Sequence, residues 1–93
     1  MPLTICQATK FRRDVKRLKR QGIDLTQLQA VLMALVAEET LDERYRDHVL
    51  VGNWRGFREC HIQPDWLLIY RVENNELQLA RTGSHARAFP KSA

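Results

Sequence analysis

No stretch of this 93-residue chain approaches the run of about 20 apolar residues that crosses a bilayer. Met1-Pro2-Leu3-Thr4 also lacks a charged segment leading into an apolar one, so no secretory signal is visible and the expected location is the cytoplasm. Cysteine is scarce: Cys6 and Cys60 are the only two. A disulfide framework is not expected in a reducing compartment, and two Cys without CxxC spacing argue against a zinc site. Both fall in apolar, strand-like segments and read as small buried hydrophobes. The chain has no HxH and no HExxH, so zinc bound by the three histidines and an Asp ranks well below a metal-free reading. No metal and no cofactor are expected. Repeats, low-complexity segments and linkers are missing as well, and the length suits one domain over residues 1–93 with one modest core.

What the chain has is positive charge, unevenly spread. Its formal net charge is +4, which favours a polyanionic partner. Lys10, Arg12, Arg13, Lys16, Arg17, Lys19 and Arg20 place seven cations in eleven residues, interrupted only by Asp14. A solvated helix face would account for some of this. Seven charges of one sign exceed what solubility needs, so a surface for nucleic acid or an acidic protein is the competing explanation, with Lys10, Arg13, Lys16, Arg17 and Arg20 as its contacts.

The chain divides into a helical half and a strand-rich half. Thr4-Ile5-Cys6-Gln7 reads as a short first strand. Phe11, Val15 and Leu18 recur at i, i+4 and i+7 and predict a helix from Lys10 to Arg20, capped by Thr9 and ended by Gly22. Asp24, with Gln27 three residues on, predicts the start of a second helix. Leu25, Leu28, Val31, Leu32, Leu35 and Val36 carry its broad apolar face to about Glu38. Leu41 to Asp47 is charged and irregular. Strands are predicted over Trp54–Ile62, Trp66–Val72 and Glu76–Arg81. Turns fall at Gly52-Asn53, Pro64-Asp65 and Asn74-Asn75. The almost wholly apolar Trp66–Val72 run should be central and covered. The sum is an α+β fold: a helical hairpin packed on a small, twisted, antiparallel-rich sheet. Trp54, Phe57 and Tyr70 are assigned to its core.

The residues able to do chemistry gather in the second half. His48, His61 and His85 are the only histidines, and imidazole both gives and takes protons near neutral pH. Asp65 can orient an imidazole or act as a base itself. Arg81 and Arg55 have the fork that grips phosphate. Trp66 and Phe89 have the ring faces on which splayed bases stack. Cleaving RNA by internal attack needs a proton taken from the 2′-OH, a proton given to the 5′-oxygen and charge stabilised on the phosphoryl oxygens. His61 and Asp65, flanking one turn, are expected to share a cleft, with His85 in the loop after Arg81. Each residue also has a plain alternative: Asp65 as ordinary turn chemistry, Arg81 paired with a carboxylate, Trp66 and Phe89 in the core.

The run from Asp47-His48 through Gly52-Asn53-Trp54-Arg55-Gly56 and His61-Ile62-Gln63-Pro64-Asp65-Trp66-Leu67-Leu68-Ile69-Tyr70, followed by Arg81-Thr82-Gly83-Ser84-His85, resembles the YafQ branch of the RelE/ParE toxin superfamily. The close match covers about the last half of the chain. The resemblance implies a type II toxin with a RelE-like fold: an endoribonuclease that enters the ribosomal A site of the 30S subunit and cuts translated mRNA without metal, leaving a 2′,3′-cyclic phosphate. It also implies an antitoxin, expected here to be acidic, that neutralises the toxin and carries it to operator DNA. The family's functional residues fall on His48, His61, Asp65, Trp66, Arg81, His85 and Phe89. By that likeness His85 is the general acid, His61 and Asp65 handle the 2′-OH proton or place the phosphate, His48 contacts RNA or assists proton transfer, and Arg81 stabilises the phosphorane. Arg87, and Pro90 to Ala93 beyond Phe89, depart from the pattern. The competing readings are a non-catalytic RNA- or protein-binding module and a ParE-like gyrase poison, the latter disfavoured by the histidine set.

Overall fold

The computed structural model describes residues 2–84. Strand β1 (Thr4–Gln7) leads into helix α1 (Thr9–Arg20), and α2 (Thr26–Val36) follows. Four strands then build the sheet: β2 (His48–Val49), β3 (Arg58–Gln63), β4 (Trp66–Glu73) and β5 (Glu76–Gly83). The spatial order is β1-β5-β4-β3-β2. All pairings are antiparallel except β1 with β5. This is the expected α+β arrangement with β4 in the middle, and no helix among the described residues is long and apolar enough to cross a membrane.

Strand alternation explains the two faces of the sheet. Cys60 and Ile62 of β3, Trp66, Leu68 and Tyr70 of β4, and Leu77 and Leu79 of β5 point to one side. There they pack with Phe11 of α1 and Leu28, Val31 and Leu35 of α2 in a single core. Each such buried side chain contributes about 1.5–3 kcal/mol. Val15, Leu18, Leu32 and Val36 border the core and seat the helices. Glu59 and His61, one residue out of phase, face the other side beside Leu67 and Ile69, which are also buried.

Several local expectations change. Thr9 is the first residue of α1 and does not cap it; Ala8 occupies the cap without a side-chain bond. Asp24 lies one residue too early to cap α2, because its carboxylate closes a turn onto the Thr26 N–H (2.9 Å) and hydroxyl (2.6 Å). α2 ends at Val36, and Glu38 follows with φ 60°. The predicted strand from Trp54 begins only at Arg58, since Gly52–Trp54 forms a 3-10 turn and Trp54 and Phe57 meet edge to face at 5.3 Å. Within the irregular Leu41–Asp47 segment, Glu43–Tyr45 is a second 3-10 turn. β5 runs through Thr82 and Gly83, which had read as loop. Asn74 (φ 53°) and Asn75 (φ 63°) form the β4–β5 hairpin turn as expected, both in the left-handed region that Asn tolerates. Of the two cysteines, Cys60 is buried and Cys6 is exposed on the outer strand β1.

Candidate active site

The strand register builds the site. His48 on β2 pairs with Glu59 on β3, Glu59 with Ile69 on β4, and Ile69 with Arg81 on β5. Residues in register on neighbouring strands share a face, so these four form one row across the sheet. The next row on that face is His61, Leu67 and Gly83. Gly83 carries φ 143°, a backbone conformation suited to glycine, and it ends the row without a side chain.

The rows bring two imidazoles and a carboxylate together. One oxygen of Glu59, Oε1, lies 3.4 Å from His48 Nε2 and 3.3 Å from His61 Nε2. The two rings sit 6.2 Å apart. Glu59 is buried, whereas the His48 side chain keeps 49% of its surface and that of His61 23%. The Nδ1 of His48 donates to the Arg46 carbonyl at 2.7 Å. A carbonyl only accepts, so that nitrogen carries the hydrogen and Nε2 is the one presented to Glu59. A carboxylate flanked by two partly open imidazoles can accept, hold and return a proton.

Asp14 builds a second charged centre. Past the end of β1, the edge of β5 has no strand neighbour among the described residues, and α1 lies against it. The Asp14 carboxylate accepts the Thr82 N–H at 3.1 Å, Arg81 Nε at 2.8 Å and a second Arg81 N–H at 3.2 Å. Arg17 donates to it at 3.1 Å. Burial alone would raise the Asp14 carboxyl, but the donors from Arg81, Thr82 and Arg17 outweigh it and hold the group below the usual carboxylate range. The same pairing raises the Arg81 guanidinium above its ordinary value against the opposing effect of burial. Arg81 thus pairs with a carboxylate, the plainer of its two readings, through two of its five N–H groups.

Two clefts flank the Gln63-Pro64 turn. One, of about 380 Å³, is lined by Gln27, Arg44, Tyr45, Arg46, His61 and Ile62. The other, of about 560 Å³, is lined by Asp14, Arg17, Asp65, Trp66, Gly83 and Ser84 among others. His61 and Asp65 were expected in one cleft; they line different ones, because the turn between them carries Asp65 to the α1 side. Trp66, expected to stack on a base, has 7% of its surface exposed, and its indole N–H donates to Thr82 Oγ1 at 3.0 Å. A stacking platform needs an open ring face, so the structure places Trp66 with the core. Arg55 is exposed after the Gly52–Trp54 turn. Lys10, Arg13, Lys16 and Arg20 are exposed on α1, as expected, while Arg17 is half-buried against Asp14. His85 and Phe89 lie outside the described residues.

Sequence reasoning missed Glu59. Its signal was alternation: with Cys60 and Ile62 facing the core, Glu59 and His61 share the opposite face. Arg44 and Arg46 were missed too, in a segment that read only as irregular.

A family model for the bacterial toxin of a type II toxin-antitoxin system, YafQ, matches residues 3–90. The chain belongs to the YafQ family. It is 39% identical over 82 residues to the mRNA interferase toxin YafQ of Escherichia coli K12, covering 86% of this chain and 88% of that protein. It also matches a copper-bound mutant toxin from Helicobacter pylori with a TM-score of 0.90 and 41% identity, covering 94% of this chain and 99% of the other. The E. coli DinJ-YafQ toxin-antitoxin complex gives a TM-score of 0.88 at 33% identity, covering 96% and 99%.

Proposed function

We propose that this YafQ-family protein is an mRNA interferase: a ribosome-dependent endoribonuclease that cuts translated mRNA in the A site and is held inactive by a cognate antitoxin. One observation carries the chemistry, the single Glu59 oxygen within 3.4 Å of both His48 and His61 on a partly open sheet face. In this reading the Glu59–His61 pair takes the 2′-OH proton. The freed 2′-oxygen attacks the adjacent phosphorus, and the bond to the 5′-oxygen breaks. His85 protonates that leaving oxygen, so the products are a 2′,3′-cyclic phosphate and a 5′-hydroxyl. His48, in its protonated form, offsets charge on the phosphorane. The N–H groups of Arg81 that Asp14 does not use do the same from the other end of the row. Asp65, in the neighbouring cleft, places the RNA.

The Helicobacter structure is of a copper-bound mutant toxin. Among the described residues of this chain, no group of three or more His, Cys, Asp or Glu is arranged to hold a metal ion. In this reading the proton transfers use side chains alone. The exposed cations of α1 and Arg55 meet ribosomal RNA, and an acidic antitoxin covers part of the same charge. Operator DNA is reached only through the antitoxin complex, and the site of action is the cytoplasm.

Ribosomes programmed with a defined mRNA test the proposal. Wild-type protein should cut at codon positions in the Mg2+ buffer the ribosome requires, and His61→Ala should not. Growth arrest that persists unchanged in His61→Ala and His85→Ala would instead support a non-catalytic binding module.

A further inference from the structure

The 380 Å³ cleft beside His61 has a lining of one charge sign. Arg44, Arg46 and His61 contribute two guanidinium groups and an imidazole, with Gln27, Tyr45, Ile62, Gln63 and Pro64 between them and no carboxylate. The cleft exists because β2 pairs only with Arg58 and Glu59. Among the described residues, no strand pairs with the edge of β3 beyond Glu59 on that side, and the 3-10 turn at Glu43–Tyr45 lies against it.

Both arginines are held for contact. The Asp42 carboxylate accepts the Arg44 N–H at 2.9 Å and closes the turn. The Arg44 guanidinium lies over the Tyr45 ring, 4.8 Å from its centre, and donates to the Tyr45 hydroxyl at 2.8 Å. That contact uses one of its five N–H groups and fixes the plane of the rest. Arg46 sits in the left-handed region (φ 49°, ψ 43°), a conformation that costs a long side chain about 1 kcal/mol or more. It is held there by its own N–H to the Glu43 carbonyl (3.0 Å) and by its carbonyl accepting from His48 (2.7 Å). The Arg46 guanidinium makes no hydrogen bond or ion pair with the described residues. The residue that orients His48 through its backbone therefore offers the cleft that His61 lines a cation with no partner among the described residues.

We propose that this cleft binds the phosphate of an RNA linkage adjacent to the one being cut, with Arg44 and Arg46 as its ligands. The proposal rests on the nuclease reading and adds to it a substrate subsite outside the resemblance-derived residues. Phosphate is favoured over a protein carboxylate because the cleft is continuous with His61, where the RNA backbone must lie for cleavage. Guanidinium forks match a phosphodiester's two free oxygens. Holding the neighbouring linkage would fix the scissile one in line.

The test uses ribosomes programmed with synthetic mRNAs carrying an uncharged methylphosphonate at the linkage on one side or the other of the cut. For wild-type protein, one of the two replacements should lower the cleavage rate at least tenfold. Arg44→Gln/Arg46→Gln should lower the rate on ordinary mRNA by a similar factor, and the methylphosphonate should cost this variant less than twofold more. The single variants Arg44→Gln and Arg46→Gln keep the comparison available should the double variant fold poorly. Equal losses from the methylphosphonate in wild type and variant would overturn the subsite while leaving the nuclease intact. Normal cleavage by the variant with weakened antitoxin binding would overturn it in favour of an acidic peptide. No cleavage by wild type at all would overturn the nuclease reading and this proposal with it.

Discussion

Glu59 Oε1 stands between His48 Nε2 and His61 Nε2, 3.4 Å from one and 3.3 Å from the other. The relationship depends on two levels of structure. Period-two alternation puts Glu59 and His61 on one face of β3, and the β2–β3 register sets His48 directly opposite Glu59. The carboxylate is buried and the imidazoles are partly open, so the pair of rings is the more exposed side of the group. Glu59→Gln keeps the shape and removes the proton acceptor. Its cleavage rate should fall about 10²–10⁴-fold with an unchanged melting temperature. Ribosome-programmed cleavage beside a thermal melt checks this, and activity within threefold of wild type would remove Glu59 from the chemistry.

Asp14 ties α1 to the end of β5 and should make stability fall in acid. Its folded carboxyl titrates below the unfolded value, so its contribution is complete above about pH 4 and is lost as pH drops through the lower folded value. Urea unfolding of wild type should weaken progressively below pH 4. Asp14→Asn should lose about 2–3 kcal/mol at pH 7 and show a flatter acid limb. Parallel pH profiles for the two proteins would contradict the assignment.

The cysteines should differ sharply in reactivity. Cys60 is buried and its thiol is pushed up to about 12, chiefly by burial and then by the charges of Asp47 and Glu59. Cys6 is exposed on β1. Alkylation at pH 8 followed by mass spectrometry should label one thiol in the native protein and two in urea. Rapid native labelling of Cys60 would mean that the core opens easily.

Trp66 is expected to act through stability. Its indole donates to Thr82 Oγ1, whose own hydroxyl donates to the Leu67 carbonyl at 2.8 Å. Trp66→Phe should cost about 1 kcal/mol for the hydrogen bond plus the smaller loss of packing. It should leave mRNA cleavage within a few-fold of wild type. Lost cleavage at unchanged stability would restore the base-stacking role.

The fold was largely legible because its signals are local. Phe11, Val15 and Leu18 mark α1 by helical spacing, the apolar run from Trp66 marks the central strand, and Asn74-Asn75 marks its turn. Errors came where short-range geometry overrides pattern. Asp24 prefers to close its own turn, and Gly52–Trp54 curls into a 3-10 turn, so the strand begins only at Arg58. The histidines of the site were visible as residue types. Their partners were not, since Glu59 meets His48 only through register and Asp14 meets Arg81 across 67 residues of chain.

The central claim is that the Glu59–His61 pair and His85 move the protons of RNA cleavage without a metal, with His48 offsetting charge on the phosphorane. The most direct measurement is the chemistry of the cut ends from ribosome-bound mRNA, in the Mg2+ buffer that keeps the ribosome intact, for wild type, Glu59→Gln and His61→Ala. The account predicts 2′,3′-cyclic phosphate and 5′-hydroxyl ends from wild type and strongly reduced cutting by both variants. Ends bearing 5′-phosphate, or cleavage at constant Mg2+ that is lost when trace transition metal is removed and restored when it is added back, would contradict it.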